Sequence, residues 1–185
     1  GSDNTLIGDG AADALTTGNN NTAVGSGSLS ATTTAAGNTA VGKNAMLSNT
    51  TGANNTAVGL QALNGNTTAD DNTAVGMNAL VSNTTGATNT AVGASALQEN
   101  TTASDNTAVG FESLLDNTTG TNNTAVGKRS GYNITTGDDN TAIGQEALFT
   151  ATTASDNTAV GFQALYSNSS GASNAAMGHN ALFNN

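Results

Sequence analysis

Few side chains in this sequence could do chemistry. His179 is the one histidine, and there is no cysteine. An imidazole works as a general base when a nucleophile and an orienting carboxylate stand beside it. No such set can be assembled around His179, which lies near the end of the sequence and reads as a solvated end residue. Glycine recurs at a fixed interval and never as the G-x-x-x-x-G-K-[ST] loop that cradles phosphate. The expectation is a protein without catalysis.

Three other groups of residues have suggestive spacing. Asp70, Asp71, Asp105, Asp138, Asp139 and Asp156 each stand one or two residues before an asparagine. Asp139 and Asp156 are equivalent in successive repeats, so a calcium ion could bridge them through carboxylate oxygens. Other repeats carry Asn20, Asn54, Thr88, Asn122 or Ser173 at that place, which favours a solvated turn in which aspartate caps backbone amides. Calcium is the one cofactor candidate. Threonines also form rows, from Thr5, Thr22 and Thr39 to Thr158, with adjacent pairs such as Thr50 and Thr51. Threonine rows on a flat face could match an ice lattice, but side chains of neighbouring residues in a strand point to opposite faces, so a Thr-Thr pair does not present two hydroxyls together. Finally, N-x-T sequons such as those at Asn49 and Asn83 would matter on a glycosylating secretory path.

The elements that position these residues follow from a repeat. Stepping by 17 from Asn4 reaches Asn21, Asn38, Asn55, Asn72 and so on to Asn174, always asparagine and without insertion or deletion. The unit reads N-T-A-V-G-x-x-A-L-x-x-N-T-T-G/A-x-D/N, in eleven copies of which the last stops at Asn185. Number its positions 1 to 17. Position 5 is always glycine, as Gly59 and Gly76; position 4 is Val or Ile, as Val58 and Val75, until Met177; position 9 is mostly leucine, as Leu63 and Leu80. Position 9 shrinks to Ala12 and Gly131 in two copies, and in those same copies position 12 grows to Leu15 and Ile134. Positions 9 and 12 therefore should reach one core space, each filling what the other vacates.

Seventeen residues are too few for a helix pair, and Thr, Val, Asn and Gly favour strands and turns over helix. The fold class expected is all-β: a parallel β-solenoid of eleven 17-residue coils over residues 4–185, with residues 1–3 read as a cloning scar and the start. Like residues then stack into ladders, with Asn55 over Asn72, Val58 over Val75, Gly59 over Gly76 and Leu63 over Leu80. At about 4.8 Å per strand the rod is on the order of 50 Å long. Valine at position 4 is placed inside, leaving Asn, Ala and Gly outside; the opposite register would turn Thr and Val outward. Either way a flat, weakly polar strip runs along the rod and wants a partner. With one Val and one Leu inside, the coil looks thin against the ordering of 17 residues, and association of chains, as a homotrimer, would supply burial.

Composition narrows the partners. The net charge is −10, and Lys43, Lys128 and Arg129 are the only basic residues, so nothing could neutralise nucleic acid phosphates or an anionic membrane. No apolar run approaches the about 18 residues of a membrane span. No signal peptide is visible, and the chain is expected to be a fragment of something longer. Positions 6 and 10 carry apolar residues, including Phe111, Tyr132, Phe149, Phe162 and Tyr166, which form a candidate contact surface for a receptor, glycan or matrix ligand, or pack against neighbouring coils.

The stretch Asn72-Thr73-Ala74-Val75-Gly76, with Ala79-Leu80 and Asn83-Thr84-Thr85-Gly86, resembles the head repeats of YadA-like trimeric autotransporter adhesins, and more closely the NTAVG-type arrays of phage and virus tail fibres. The resemblance covers Asn4 to Asn185 and implies a left-handed parallel β-roll, three chains side by side, and a place outside the cell, on a cell or virion surface. The unit is longer than in the adhesin heads, and no coiled-coil stalk or membrane anchor is present in this sequence. Beside the adhesive rod, an ice-binding solenoid with Thr ladders and a self-assembling extracellular filament or matrix protein stay open as alternatives.

Overall fold

The computed structural model describes residues 1–184. Eleven three-residue strands recur every 17 residues: β1 (Thr5–Ile7), β2 (Thr22–Val24), β3 (Thr39–Val41), β4 (Thr56–Val58), β5 (Thr73–Val75) and onward to β11 (Ala175–Met177). They form one parallel sheet in sequence order, each strand beside the next. Pairing is residue on like residue: Thr56 faces Thr73, Ala57 faces Ala74, Val58 faces Val75. The expected β-solenoid is the fold observed, and it contains no helix among the described residues.

The walls outside the strands are also laddered. Leu63 N–H donates to Ala79 O in the next coil, and Gln61 N–H donates to Lys43 O in the coil before, at 2.9 and 3.0 Å. Alternating directions require alternating backbone twist, and positions 7, 9 and 17 are left-handed throughout, as at Gln61 (φ 56°), Leu63 (φ 54°) and Asp71 (φ 59°). A left-handed bulky residue costs roughly 1–2 kcal/mol, so the corner persists because the inter-coil bonds over-determine it. Position 5 is a different case. Gly59 has φ +141°, and a Cβ there would stand 2.5 Å from Gly76 O, so only glycine fits both the conformation and the gap.

The interior corrects one expectation. Position 4 valine faces outward, and the buried residues of the strand are Asn at position 1 and Ala at position 3, as Asn55 and Ala57. Inside with them lie Ala62 and Leu63, the position 12 asparagine Asn66 and the small residue Ala69. The reason is polar as much as apolar. Asn72 N–H donates to Asn55 Oδ1 at 2.9 Å, and Asn72 Nδ2–H donates to Gly86 O at 2.9 Å. A second ladder runs along position 12, where Asn66 Nδ2–H donates to Asn49 Oδ1 at 2.9 Å and to Ala69 O at 3.0 Å. Asparagine can therefore be buried with its groups satisfied, and satisfied burial carries little penalty. Valine offers nothing to those inward carbonyls.

The argument that a thin coil needs partner chains for burial also changes. The chain exposes 7001 Å², whereas a globular monomer of 18.0 kDa exposes about 8,000 Å² by size scaling. A single chain thus has no excess of open surface, and association has to be argued from the nature of the outer face.

The paired substitutions at positions 9 and 12 behave as expected. A Cβ on Gly131 would lie 3.1 Å from Ile134 Cδ1, so Ile134 occupies the space leucine fills elsewhere. The exchange leaves a defect: the position 12 ladder stops at Asn117, whose buried Oδ1 has no hydrogen-bond partner because Ile134 carries no side-chain N–H. Gly131→Leu and Ile134→Asn alone should each cost about 1–3 kcal/mol. The double variant should recover most of that loss, with a coupling of about 0.5–3 kcal/mol. Urea unfolding followed by circular dichroism measures the cycle; additive losses would contradict a shared core space.

Candidate binding surfaces

Three outer surfaces emerge from this geometry. The first is the outward side of the sheet, built from position 2 threonine and position 4 valine. These alternate with buried Ala, so both point away from the core on one face. Val92, Val109 and Val126 are 37%, 36% and 37% exposed, while valines of the earlier coils are half-buried. The two kinds of threonine separate here. Position 13 hydroxyls are used internally: Thr50, Thr84 and Thr118 Oγ1–H donate to Thr67, Thr101 and Thr135 carbonyls of the next coil at 2.9, 2.9 and 3.0 Å. Position 2 hydroxyls, from Thr22 to Thr158, make no hydrogen bond among the described residues and line the open face. The Thr-x-Val arrangement on one face replaces the adjacent Thr-Thr pair as the ordered feature, and no charged residue occupies the strip from Thr5 to Met177.

The second surface is aromatic. Tyr132, Phe149, Tyr166 and Phe183 stand at position 10 of successive coils and stack with ring centroids 5.2, 5.0 and 4.9 Å apart. Arg129 lies over the Tyr132 ring, 5.6 Å from its centroid. The Arg129 Nε–H donates to Glu112 Oε2 at 2.6 Å, and that carboxylate pushes the guanidinium pKa up. Because the rings cover one another's faces, the column presents edges to solvent. Packing between neighbouring coils thus accounts for Tyr132, Phe149 and Tyr166. Phe183 completes the column and follows from the same 17-residue period, though the sequence reading did not single it out. Phe162 at position 6 stacks on His179 at 5.0 Å, and Phe111 is 45% exposed. His179 is thereby a ring on a neighbouring ring at an exposed position.

The third surface is acidic. Asp139 and Asp156 are exposed, left-handed turn residues. No group of three or more His, Cys, Asp or Glu among the described residues is placed to hold a metal ion. Neighbouring carboxylates cap backbone amides: Asp138 Oδ1 accepts from Thr121 N–H at 2.6 Å, and Asp70 Oδ1 accepts from Ala53 N–H at 2.7 Å. At position 11, Asp116 sits one coil above Glu99, and its pKa is raised, first by burial and then by the Glu99 charge.

No pocket opens among the described residues, and no helix is long and apolar enough to cross a membrane. Comparison with known proteins finds no matching family model, no matching curated protein and no matching solved structure.

The Asp116 shift gives a pH prediction. A carboxyl with a raised folded pKa binds its proton more tightly when folded, so the folded chain is penalised once pH rises through that value. Asp116→Asn should raise the melting temperature at pH 7, and the gain should vanish at acid pH where wild-type Asp116 is protonated. Thermal melts across the carboxylate range test this; an equal gain at all pH values would assign it to something other than charge.

Proposed function

We propose that the chain is a structural and adhesive rod of an extracellular fibre, on a cell or virion surface, in which the Thr–Val strip packs against further copies as a homotrimer. The observation that carries this reading is the strip itself. In ten of eleven copies position 2 is threonine, and position 4 is Val, Ile or Met, although both face away from the core. The chain carries a net charge of −10 with none of it on the strip, so like strips can meet without like charges meeting. Apolar area at about 25 cal/mol per Å² would drive the contact. The resemblance to adhesin-head and tail-fibre repeats supports the same reading. Variable positions 6, 7, 10 and 11 then remain outside to present a receptor, glycan or matrix contact, with no chemistry of their own.

The test is hydrodynamic. The chain should sediment as a trimer at micromolar concentration, and Val92→Glu with Val109→Glu should give monomers whose β-type circular dichroism is unchanged, because both side chains point outward. A wild-type chain that stays monomeric would overturn the reading.

A second reading uses the same strip. Ten position 2 hydroxyls without partners among the described residues, each beside an outward valine or isoleucine, form a regular row that ordered water could join as an ice-binding face. Monomeric protein should then shape ice crystals and show thermal hysteresis, and Thr90→Glu with Thr107→Glu should abolish both. Absence of either activity at high concentration removes this reading. Thermal hysteresis in the monomer would in turn displace the trimer.

A further inference from the structure

We infer that this chain reaches its fold only where its position 12 sequons stay unglycosylated, so that a compartment with N-glycosylating activity lowers its folded yield. Asn49, Asn66, Asn83, Asn100 and Asn117 each open an N-T-T sequon, and Asn168 opens N-S-S. All six are buried, at 0–1% exposure. Their amide nitrogens are also committed. Asn83 Nδ2–H donates to Asn66 Oδ1 at 3.2 Å and to Gly86 O at 2.9 Å; Asn100 Nδ2–H donates to Asn83 Oδ1 at 2.8 Å and to Ala103 O at 3.0 Å.

Glycan transfer joins Asn Nδ2 to the anomeric carbon of a sugar, releases the lipid pyrophosphate that carried it, and leaves the nitrogen with one of its two protons. One buried acceptor per site would lose its donor. The larger obstacle is space. The preceding coil lies about 4.8 Å away, and its own asparagine fills that layer against Asn83 Nδ2, so a sugar on Asn83 displaces Asn66 and parts the coils. The transferring enzyme acts on extended chain, where N-T-T is as accessible as any other sequon. Modification and folding therefore compete, and in the folded coil the site is closed. Asn133 opens N-I-T at half-buried position 11, and Asn20, Asn54 and Asn122 also open N-x-T sequons, but these three are exposed and could carry a glycan without touching the core. They serve as internal controls. The inference depends on neither the fibre nor the ice-binding reading.

The experiment directs the chain into the secretory lumen of a eukaryotic cell, with and without an inhibitor of lipid-linked oligosaccharide synthesis, and maps glycans by peptide mass spectrometry. The protease-resistant, soluble pool should carry glycans at Asn20, Asn54 and Asn122 and none at position 12. Glycans at position 12 should be confined to the protease-sensitive pool, and the inhibitor should raise the folded yield several-fold. A folded pool with a glycan on Asn66, Asn83 or Asn100 would overturn the inference. A chemical version holds where the cell leaves position 12 unmodified. Asn83→Cys and Asn54→Cys are coupled to a maleimide polymer in denaturant and then diluted to refold, beside their uncoupled forms. Coupled Asn54→Cys should regain its β spectrum, and coupled Asn83→Cys should not although its uncoupled form does; equal refolding of the two coupled chains would overturn the inference as well.

Discussion

The structure depends on one constraint: buried polar groups find their partners one coil away, at a separation of 17 residues. The position 1 asparagine shows why this is rigid. Its Oδ1 accepts the next asparagine's backbone N–H, as Asn55 does from Asn72, and its Nδ2 reaches the inward carbonyl of position 15, as Asn72 does to Gly86. That carbonyl also accepts from position 12, as Gly86 O does from Asn83 Nδ2. A slip of one residue would bring threonine to the asparagine's place and leave buried donors and acceptors without partners, each worth about 1–3 kcal/mol. Apolar burial alone could not fix the register so firmly, because alanine and leucine layers tolerate displacement.

The same constraint explains how the coil tolerates its backbone. Leucine at position 9 is left-handed in every copy that has it, from Leu29 at φ 52° to Leu182 at φ 49°. In isolation that geometry would be avoided. Here it turns its own N–H toward the next coil, as Leu63 does to Ala79, while the left-handed residue two before it donates to the preceding coil, as Gln61 does to Lys43, so the cost is set against ladders on both sides. Coil by coil, local strain and long-range bonding are inseparable, and a coil without neighbours would lack the means to hold its corners.

Much of this was legible in the sequence, and the illegible part has a physical cause. The period and the glycine corner at Gly59 follow from comparing copies, because each is repeated eleven times, and the exchange of bulk between Gly131 and Ile134 follows because a second copy, with Ala12 and Leu15, repeats it. The side of the strand that faces inward did not follow. Val58 looks like core by hydrophobicity, yet Asn55 and Ala57 occupy that place. What decides it is the direction of the position 15 carbonyl, such as Ala69 O, which accepts from Asn55 and Asn66. No residue type announces a carbonyl's direction. For the same reason the two threonine classes could not be separated: Thr50 and Thr56 are chemically identical, and only the neighbouring coil's backbone decides which hydroxyl is occupied.

That distinction also bears on purpose. Positions 1, 3, 5, 8, 9 and 12 are restricted by the interior, and positions 6, 7, 10 and 11 vary as solvated positions do. Positions 2 and 4 face outward and should vary too, since a solvated strand accepts any β-forming side chain, tyrosine or isoleucine as readily as threonine. They are instead nearly uniform from Thr22 and Val24 to Thr158 and Val160. Recent duplication of the unit would have kept the variable positions alike as well. On the proposed reading, the uniformity answers to something outside the coil that has the coil's own spacing. A second copy of the chain has that spacing by construction, with threonine meeting a matching ladder layer by layer, and this is why an outer strip that the fold itself does not need points to assembly.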